Sequence, residues 1–456
     1  MADPEFMQVA SVEVEKLFGL YDHTIPLNLK DRVTIVHGPN GVGKTWVLRL
    51  LAALFGGNIA ELGRVPLRRF EVTLTDGSSI AVEQRSAKTR PVRQRAPKWI
   101  ERPLTLTVRE ASGETHESTL DADDPKFAMR LNLIELESPW LERIGPGQWV
   151  DTRSGGTHTA ADLLSRYDEF LPTNQRLRSR AKHPDWLPDM CSRVRVHLIE
   201  AQRLLRLGPP EPRYGRGQTM VATVRDYAQD LQRRVNEALA HYASDSQARD
   251  QSFPQRLLVA ASGSALGLDA IKARMSALDD KRAKLRSLGL LDDSGADPFN
   301  IASLDKLDPA QANVMSLYVQ DTEKKLGTLD DLSRRIELLR DNVNQKFANK
   351  SIRIDREHGF LALGHDNAPL DLESLSSGEQ HELVLLYDLL FRVQPNTLVL
   401  IDEPELSLHV GWQKRFLPDL LEIVKAAHID ALVATHSPFI VGDRSDLMVP
   451  LGTNTD

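Results

Sequence analysis

The stretch Gly38-Pro39-Asn40-Gly41-Val42-Gly43-Lys44-Thr45 decides the fold. Its spacing, G-x-x-x-x-G-K-[ST], is that of a phosphate-binding loop. The residues before it, Arg32-Val33-Thr34-Ile35-Val36-His37, read as a buried strand, and those after it, Trp46-Val47-Leu48-Arg49-Leu50-Leu51, as a helix. Strand, glycine-rich turn and helix are the setting this motif requires. Glycines let backbone N–H groups curl round an anion, here those of Asn40, Gly41 and Gly43, and the helix N-terminus adds its positive dipole end. Lys44 then reaches the β- and γ-phosphates of ATP, and the Thr45 hydroxyl holds Mg²⁺. A chance glycine-rich turn is the alternative; three downstream motifs that need such a loop as partner argue against it.

Working outward, the 456 residues suffice for two or three domains, or for one large domain with an insertion. With 41% hydrophobic and 27% charged residues the chain can bury a sizeable core. Its single cysteine, Cys191, rules out an internal disulfide framework and suits a reducing cytoplasm. No apolar run approaches the roughly 20 residues of a membrane span, and no signal peptide is visible. Residues 1–6 resemble a cloning remnant and are set aside. The net charge of −7 confines any nucleic-acid contact to local basic patches.

Upstream of the loop, Val12 to Phe18 and the segment to Leu29 read as a first strand pair. Phe18 or Tyr21 is either an adenine stacker or core, and core is the expectation. Arg68–Leu74, Ile80–Gln84 and Leu104–Arg109 alternate like strands, with Asp76-Gly77 as a hairpin turn. They predict a small antiparallel sheet beside the nucleotide core. Arg85, Lys88, Arg90, Arg93, Arg95, Lys98 and Arg102, and then Arg176, Arg178, Arg180 and Lys182, are basic stretches that meet DNA or RNA phosphates or, more commonly, simply face water.

Val194–Ile199 reads as another strand, followed by Glu200-Ala201-Gln202. A glutamine just past a core strand can touch metal-bound water or the γ-phosphate, so Gln202 is a candidate. Beyond Pro209-Pro210 the character changes. Val221, Val224, Ala228, Leu231, Val235, Ala238 and Tyr242 step by three and four; Ile271, Met275, Leu278 and Leu285, and then Leu329, Leu332, Ile336, Leu339 and Val343, keep the beat. This is the seam of helices packing side by side, as a bundle, a stubby antiparallel coiled coil or a lid folded on the core. Helices of about 25 residues, roughly 37 Å long, make the arm short. Ser351–Ile354 and Phe360–Leu363 then resemble a hairpin returning the chain to the core. The expected division is 7–208 as a first lobe with the phosphate loop, 209–345 as the helical insertion, and 346–456 as a second lobe.

Three motifs in that second lobe carry chemistry. Leu375-Ser376-Ser377-Gly378-Glu379-Gln380 opens a helix, and Ser376 and Gly378 there form an anion site or a simple cap with Glu379 in the first turn. Leu398-Val399-Leu400-Ile401-Asp402-Glu403-Pro404 is a buried strand with two carboxylates at the end where parallel sheets bind ligands. Asp402 would hold Mg²⁺, and Glu403 would position and deprotonate the attacking water. Ala431-Leu432-Val433-Ala434-Thr435-His436 is again an apolar strand with a polar tip, where His436 senses the γ-phosphate or, as a lone histidine more often does, serves structure.

In this order the motifs resemble the ABC-type ATPase head: an α/β P-loop NTPase fold with an antiparallel β subdomain and an inserted helical or coiled-coil arm. The insertion between Gln202 and Ser376 is similar to that of the SMC and recombination-repair branch. Asp402-Glu403-Pro404-Glu405-Leu406-Ser407-Leu408-His409, with Trp412-Gln413, is more specific. It resembles the compact ATPases of the overcoming-lysogenisation-defect type and of antiphage systems, such as AriA of PARIS and PtuA of Septu. The resemblance implies that two subunits pair head to tail across two ATP molecules, Ser376 and Gly378 touching the γ-phosphate held by the other subunit's Lys44. Ser407 to His409 would follow the seam between them. Ser377 and His409 depart from that branch's usual glycine and aspartate, which implies slow turnover. Overcoming-lysogenisation-defect proteins carry a C-terminal nuclease domain, whereas this chain runs only 20 residues past His436. Any nuclease is therefore expected to be a separate protein.

The first function this suggests is an ATP-driven sensor and scaffold in phage defence. It would be a homodimer or higher even oligomer that holds or releases a separate effector and answers DNA or a phage-encoded trigger, without a membrane. The second is a DNA-repair or chromosome-maintenance ATPase that clamps DNA through the basic stretches. A transporter's nucleotide-binding subunit is disfavoured by the long helical insertion.

Overall fold

The computed structural model describes residues 7–56, 62–63, 65–84, 104–120, 141–145, 148–151, 157–159, 186–201, 204–207, 220–260, 266–292, 308–406 and 408–452. Both basic stretches, Gln202, Ser407 and residues 1–6 lie outside them. The chain forms two compact units, residues 1–221 with 391–456, and residues 222–390.

In the first unit the central sheet is parallel and five-stranded. Its strands are β3 (Val33–His37), β8 (Arg195–Ile199), β11 (Thr397–Asp402), β12 (Asp430–Thr435) and β13 (Met448–Pro450), in the order β8-β11-β12-β3-β13. Its inner strands β11 and β12 are buried at every residue, which is why they read as continuous apolar runs rather than alternating ones. Register sets the site: Asp402 lies beside Ala434, and Thr435 beside His37. The tips of β3, β11 and β12 therefore end at one edge.

The second sheet is antiparallel, with order β2-β1-β4-β5-β6-β7. Its strands are β1 (Val9–Leu17), β2 (Tyr21–Pro26), β4 (Arg69–Leu74), β5 (Ser79–Gln84), β6 (Leu104–Arg109) and β7 (Thr115–Leu120). Helix α1 (Lys44–Phe55) contributes Val47, Leu48, Leu50, Leu51 and Leu54 to one core shared with Val12, Leu17, Phe70 and Val82 of this sheet and Leu398, Leu400 and Leu432 of the other. Phe18 and Tyr21 pack against this core, as expected, Phe18 edge-on to Trp46 and Tyr21 stacked on His23.

Helix α2 (Trp186–Ser192) buries Cys191, whose thiol donates to the Leu54 carbonyl. Burial pushes that thiol up to about 11. At pH 8 a thiol-specific reagent should leave the native protein unlabelled and label one thiol on unfolding in urea. Rapid stoichiometric labelling of the native chain would contradict this packing.

The second unit holds helices α3 (Thr223–Ala260), α4 (Leu268–Ser287), α5 (Pro309–Gly327), α6 (Asp330–Lys346) and α7 (Ser377–Tyr387), and a hairpin of β9 (Ser351–Asp355) and β10 (Gly359–Leu363). Helix α5 packs on both α3 and α4, so the helices form a bundle. At 38 residues α3 is longer than the helices expected, about 57 Å. Residues 346–390 cluster with these helices rather than with 391–456. One reason is that β10 lies against α3: a Cβ on Gly359, at φ +78°, would fall 1.8 Å from the Ala228 carbonyl oxygen. Two crossed bonds tie α3 to the C-terminal end of α7, Tyr227 Oη to its C-cap Asp388 at 2.5 Å and Tyr387 Oη to Asp230 at 2.7 Å, with the two rings 4.6 Å apart.

Candidate nucleotide site

The phosphate loop is shaped by three glycines. A Cβ on Gly38 would lie 2.5 Å from the Leu451 carbonyl oxygen, and one on Gly43, at φ +100°, 2.3 Å from Leu17 Cδ2. Gly41, at φ +88°, faces open space, so its requirement is conformational. Asn40 is exposed at the tip. Gly43 is the N-cap of α1; no side chain caps that end and no acid occupies its first turn, leaving the end positive. Lys44 is buried and its Nζ donates to Gly38 O at 2.8 Å and Pro39 O at 3.0 Å. Burial lowers the pKa of its ammonium, against the attraction of Glu403, Glu405 and Asp402.

Across the sheet edge, Thr45 Oγ1 donates to Asp402 Oδ1 at 2.9 Å. Burial raises the Asp402 carboxyl above the usual range; the Thr45 bond opposes this and the charge of Glu403 adds to it. A hydroxyl and a carboxylate brought together in this way are hard oxygen donors, the set Mg²⁺ takes, so these residues fit the ion.

Glu403 sits at φ +42°, a left-handed conformation unusual for a residue with a side chain, and its N–H donates to Ala434 O at 2.9 Å. The turn lifts its carboxylate off the strand tip, one-third exposed and 4.0 Å from His436 Nδ1. Strain of this kind gathers where geometry serves function. His436, half exposed, lies 3.0 Å by Nδ1 from Glu405 Oε1. The structure thus gathers Asn40, Gly41, Gly43, Lys44, Thr45, Asp402, Glu403 and His436 at one sheet edge.

Ser376 and Gly378 belong to the other unit. Ser376 caps α7 in a reciprocal box: its Oγ accepts from Glu379 N–H at 3.3 Å, and its own N–H donates to Glu379 Oε2 at 2.7 Å. Lys350 donates to the same carboxylate at 2.8 Å. Burial would raise the pKa of Glu379, but the bonds from Lys350 and Ser376 outweigh it and lower it. One turn on, Glu382 is buried against the equally buried Lys346. His409 caps helix α8 (Val410–Ala427), Nδ1 accepting from Gly411 N–H. Sequence reasoning gave no role to Glu405, although it follows directly on Asp402-Glu403-Pro404; its bonds to the β12 tip appear only in three dimensions.

Sheet order, glycine loop and acidic strand tip together define an α/β fold of the P-loop NTPase class, carrying an antiparallel sheet in the same unit and a separate helical unit.

Comparison with known proteins places relatives around it. The family described as "AAA domain, putative AbiEii toxin, Type IV TA system" matches residues 234–442, a stretch holding Ser376, Asp402, Glu403 and His436 but not the phosphate loop. Retron Ec83 probable ATPase of Escherichia coli is 31% identical over 148 residues, covering 26% of this chain and 27% of that protein. Protein ea59 of Escherichia phage lambda is 34% identical over 120 residues, covering 26% of this chain and 23% of that protein. The chain thus spans about a quarter of the length of these relatives. Among solved structures, the Smc head domain of Pyrococcus furiosus bound to the C-terminal domain of ScpA covers 98% of this chain and 93% of its own, with 13% identity and a TM-score of 0.34. The SMC head domain from Thermotoga maritima covers 96% and 93%, with 12% identity and a TM-score of 0.30. At these scores the likeness adds nothing to the fold already read from the sheet order. Among the described residues, no helix is long and apolar enough to cross a membrane.

Proposed function

We propose that this chain is an Mg²⁺-dependent ATPase whose heads pair across bound ATP and serve as a cytoplasmic sensor and scaffold in antiphage defence, holding a separate effector until a trigger releases or activates it. The observation that carries the ATPase reading is the convergence of Lys44, the Thr45–Asp402 pair, Glu403 and His436 at one sheet edge. The likeness to a retron ATPase and to a toxin–antitoxin family supports the defence setting.

In this reading the Lys44 ammonium exchanges its two loop carbonyls for β- and γ-phosphate oxygens, and the bare N-terminus of α1 adds its N–H groups. Thr45 and Asp402 hold Mg²⁺, which when bound neutralises charge on the phosphate oxygens. Glu403 orients a water and takes its proton as the water oxygen bonds to Pγ and the bond from Pγ to the ADP oxygen breaks. His436 meets the γ-phosphate. Ser376 and Gly378 contribute from a second subunit, where the uncapped half of the serine's hydrogen-bonding capacity remains for a phosphate oxygen.

The effector-holding claim is tested by purifying the chain with its neighbouring gene product. The expected result is co-elution that depends on the nucleotide state. A product that neither co-elutes nor changes activity with ATP, ADP or no nucleotide would remove the scaffold role and leave the ATPase.

A further inference from the structure

Glu405 is buried, its side chain only 5% exposed, beside the half-exposed His436. Its Oε1 accepts from Thr435 Oγ1 at 2.6 Å, His436 N–H at 2.9 Å and Ser437 N–H at 3.2 Å. The same oxygen lies 3.0 Å from His436 Nδ1. Its other oxygen, Oε2, is buried without a hydrogen-bond partner among the described residues. Bracing the turn accounts for the two backbone N–H groups and the threonine hydroxyl. It does not account for a ring nitrogen of a half-exposed histidine on the same oxygen.

We propose that Glu405 is the positioning residue of His436: it holds Nδ1 as the protonated ring nitrogen and fixes the ring plane, so that Nε2 is the nitrogen left to meet the γ-phosphate or the attacking water. The inference rests on the nucleotide-site reading above for what Nε2 meets, but not for the tautomer.

The chemistry is simple. A carboxylate oxygen only accepts, so a ring nitrogen 3.0 Å from it must donate. A neutral imidazole carries one N–H, and giving it to Nδ1 leaves Nε2 bare. A ring that becomes cationic keeps the Nδ1 bond and presents a second N–H at Nε2. A carboxylate that sets the tautomer of a working histidine is a recurrent device. Glu403, the other acid near this ring, is 4.0 Å from the same nitrogen, beyond hydrogen-bond range, and so remains available to a water. One strand tip thus supplies two glutamates with separate tasks, one facing the reaction and one facing the histidine.

Two experiments on the full chain test this. The first measures ATP turnover in Glu405→Ala, Glu405→Gln, His436→Ala and the double variant Glu405→Ala/His436→Ala. Loss of the carboxylate should lower kcat about tenfold, the low end of what losing the partner that orients a working histidine costs, with KM for ATP within about twofold. Glu405→Gln, which keeps a carbonyl acceptor at the same place, should recover most of that loss. In the His436→Ala background, Glu405→Ala should lower kcat no further. An equal further loss there, or a Glu405→Ala enzyme with unchanged kcat, overturns the proposal.

The second experiment needs no turnover and no variant of Glu405. Histidine-labelled wild-type protein is studied by ¹⁵N nuclear magnetic resonance, His436 being assigned by its absence in His436→Gln. A protonated Nδ1 is expected, and a bare Nδ1 overturns the assignment. A wild-type chain that hydrolyses no ATP would sink the ATPase reading, while the resonance pattern still decides the role of Glu405.

Discussion

Lys44→Ala abolishes ATP binding and leaves the chain folded. Among the described residues the Lys44 Nζ bonds two carbonyls of its own loop, so little of the fold depends on it. Its ammonium is nonetheless a buried cation at the loop, drawn by the charges of Glu403, Glu405 and Asp402, which would otherwise face an incoming triphosphate. Two charge-assisted bonds to phosphate oxygens are lost, and the acids are left unbalanced. A loss of about 3 kcal/mol, or about 100-fold in affinity, is the least to expect. Titration with a fluorescent ATP analogue checks it, with a thermal melt as the control for folding. Affinity within tenfold of wild type in a folded variant would mean that the phosphates are held elsewhere.

Glu403→Gln has the opposite character. The amide keeps the size of the side chain and leaves Asp402 and Thr45 as ligands, but it cannot take a proton from water. ATP should bind as in the wild type, while kcat falls by about 10² or more, the usual contribution of a general base. Unhydrolysed ATP then accumulates in the site, and the paired heads persist. Gel filtration with ATP and Mg²⁺ should show a species of twice the mass that the wild type forms only transiently. A variant that binds ATP yet keeps its size would count against pairing across the nucleotide.

The site was legible in the sequence to the extent that its strands are buried on both faces. β11 and β12 are buried throughout and apolar over Leu398–Ile401 and Ala431–Ala434, so the polar ends at Asp402-Glu403 and Thr435-His436 stand out, and the glycine spacing marks the phosphate loop. Parallel register then does what sequence cannot: it sets Asp402 beside Ala434 and Thr435 beside His37. Glu405 was illegible because it is one of several acids after β11, and only its bonds to the β12 tip distinguish it. Helix α5 was hidden for another reason. Its buried face mixes Val319 and Leu326 with Ser316, Asp321 and Thr322, which blurs the period, and Asp321 is there to receive Arg256 of α3. The length of α3 was underestimated because its apolar steps fade after Tyr242, while the helix continues to Ala260. The serine motif shows that two readings of one residue can hold together. Ser376 is a helix cap here, and the same hydroxyl is what the paired-head account asks to meet a phosphate.

That account is tested most directly by mixing two inactive chains. Lys44→Ala lacks the phosphate lysine and keeps Ser376, whereas Ser376→Arg lacks the serine and keeps Lys44. Each alone should be inactive. If Ser376 acts on the ATP held by a second subunit, an equal mixture forms pairs with one complete site, and about a quarter of the wild-type rate should return when subunits exchange freely. A mixture as inactive as its two components, beside an active wild type, would contradict it.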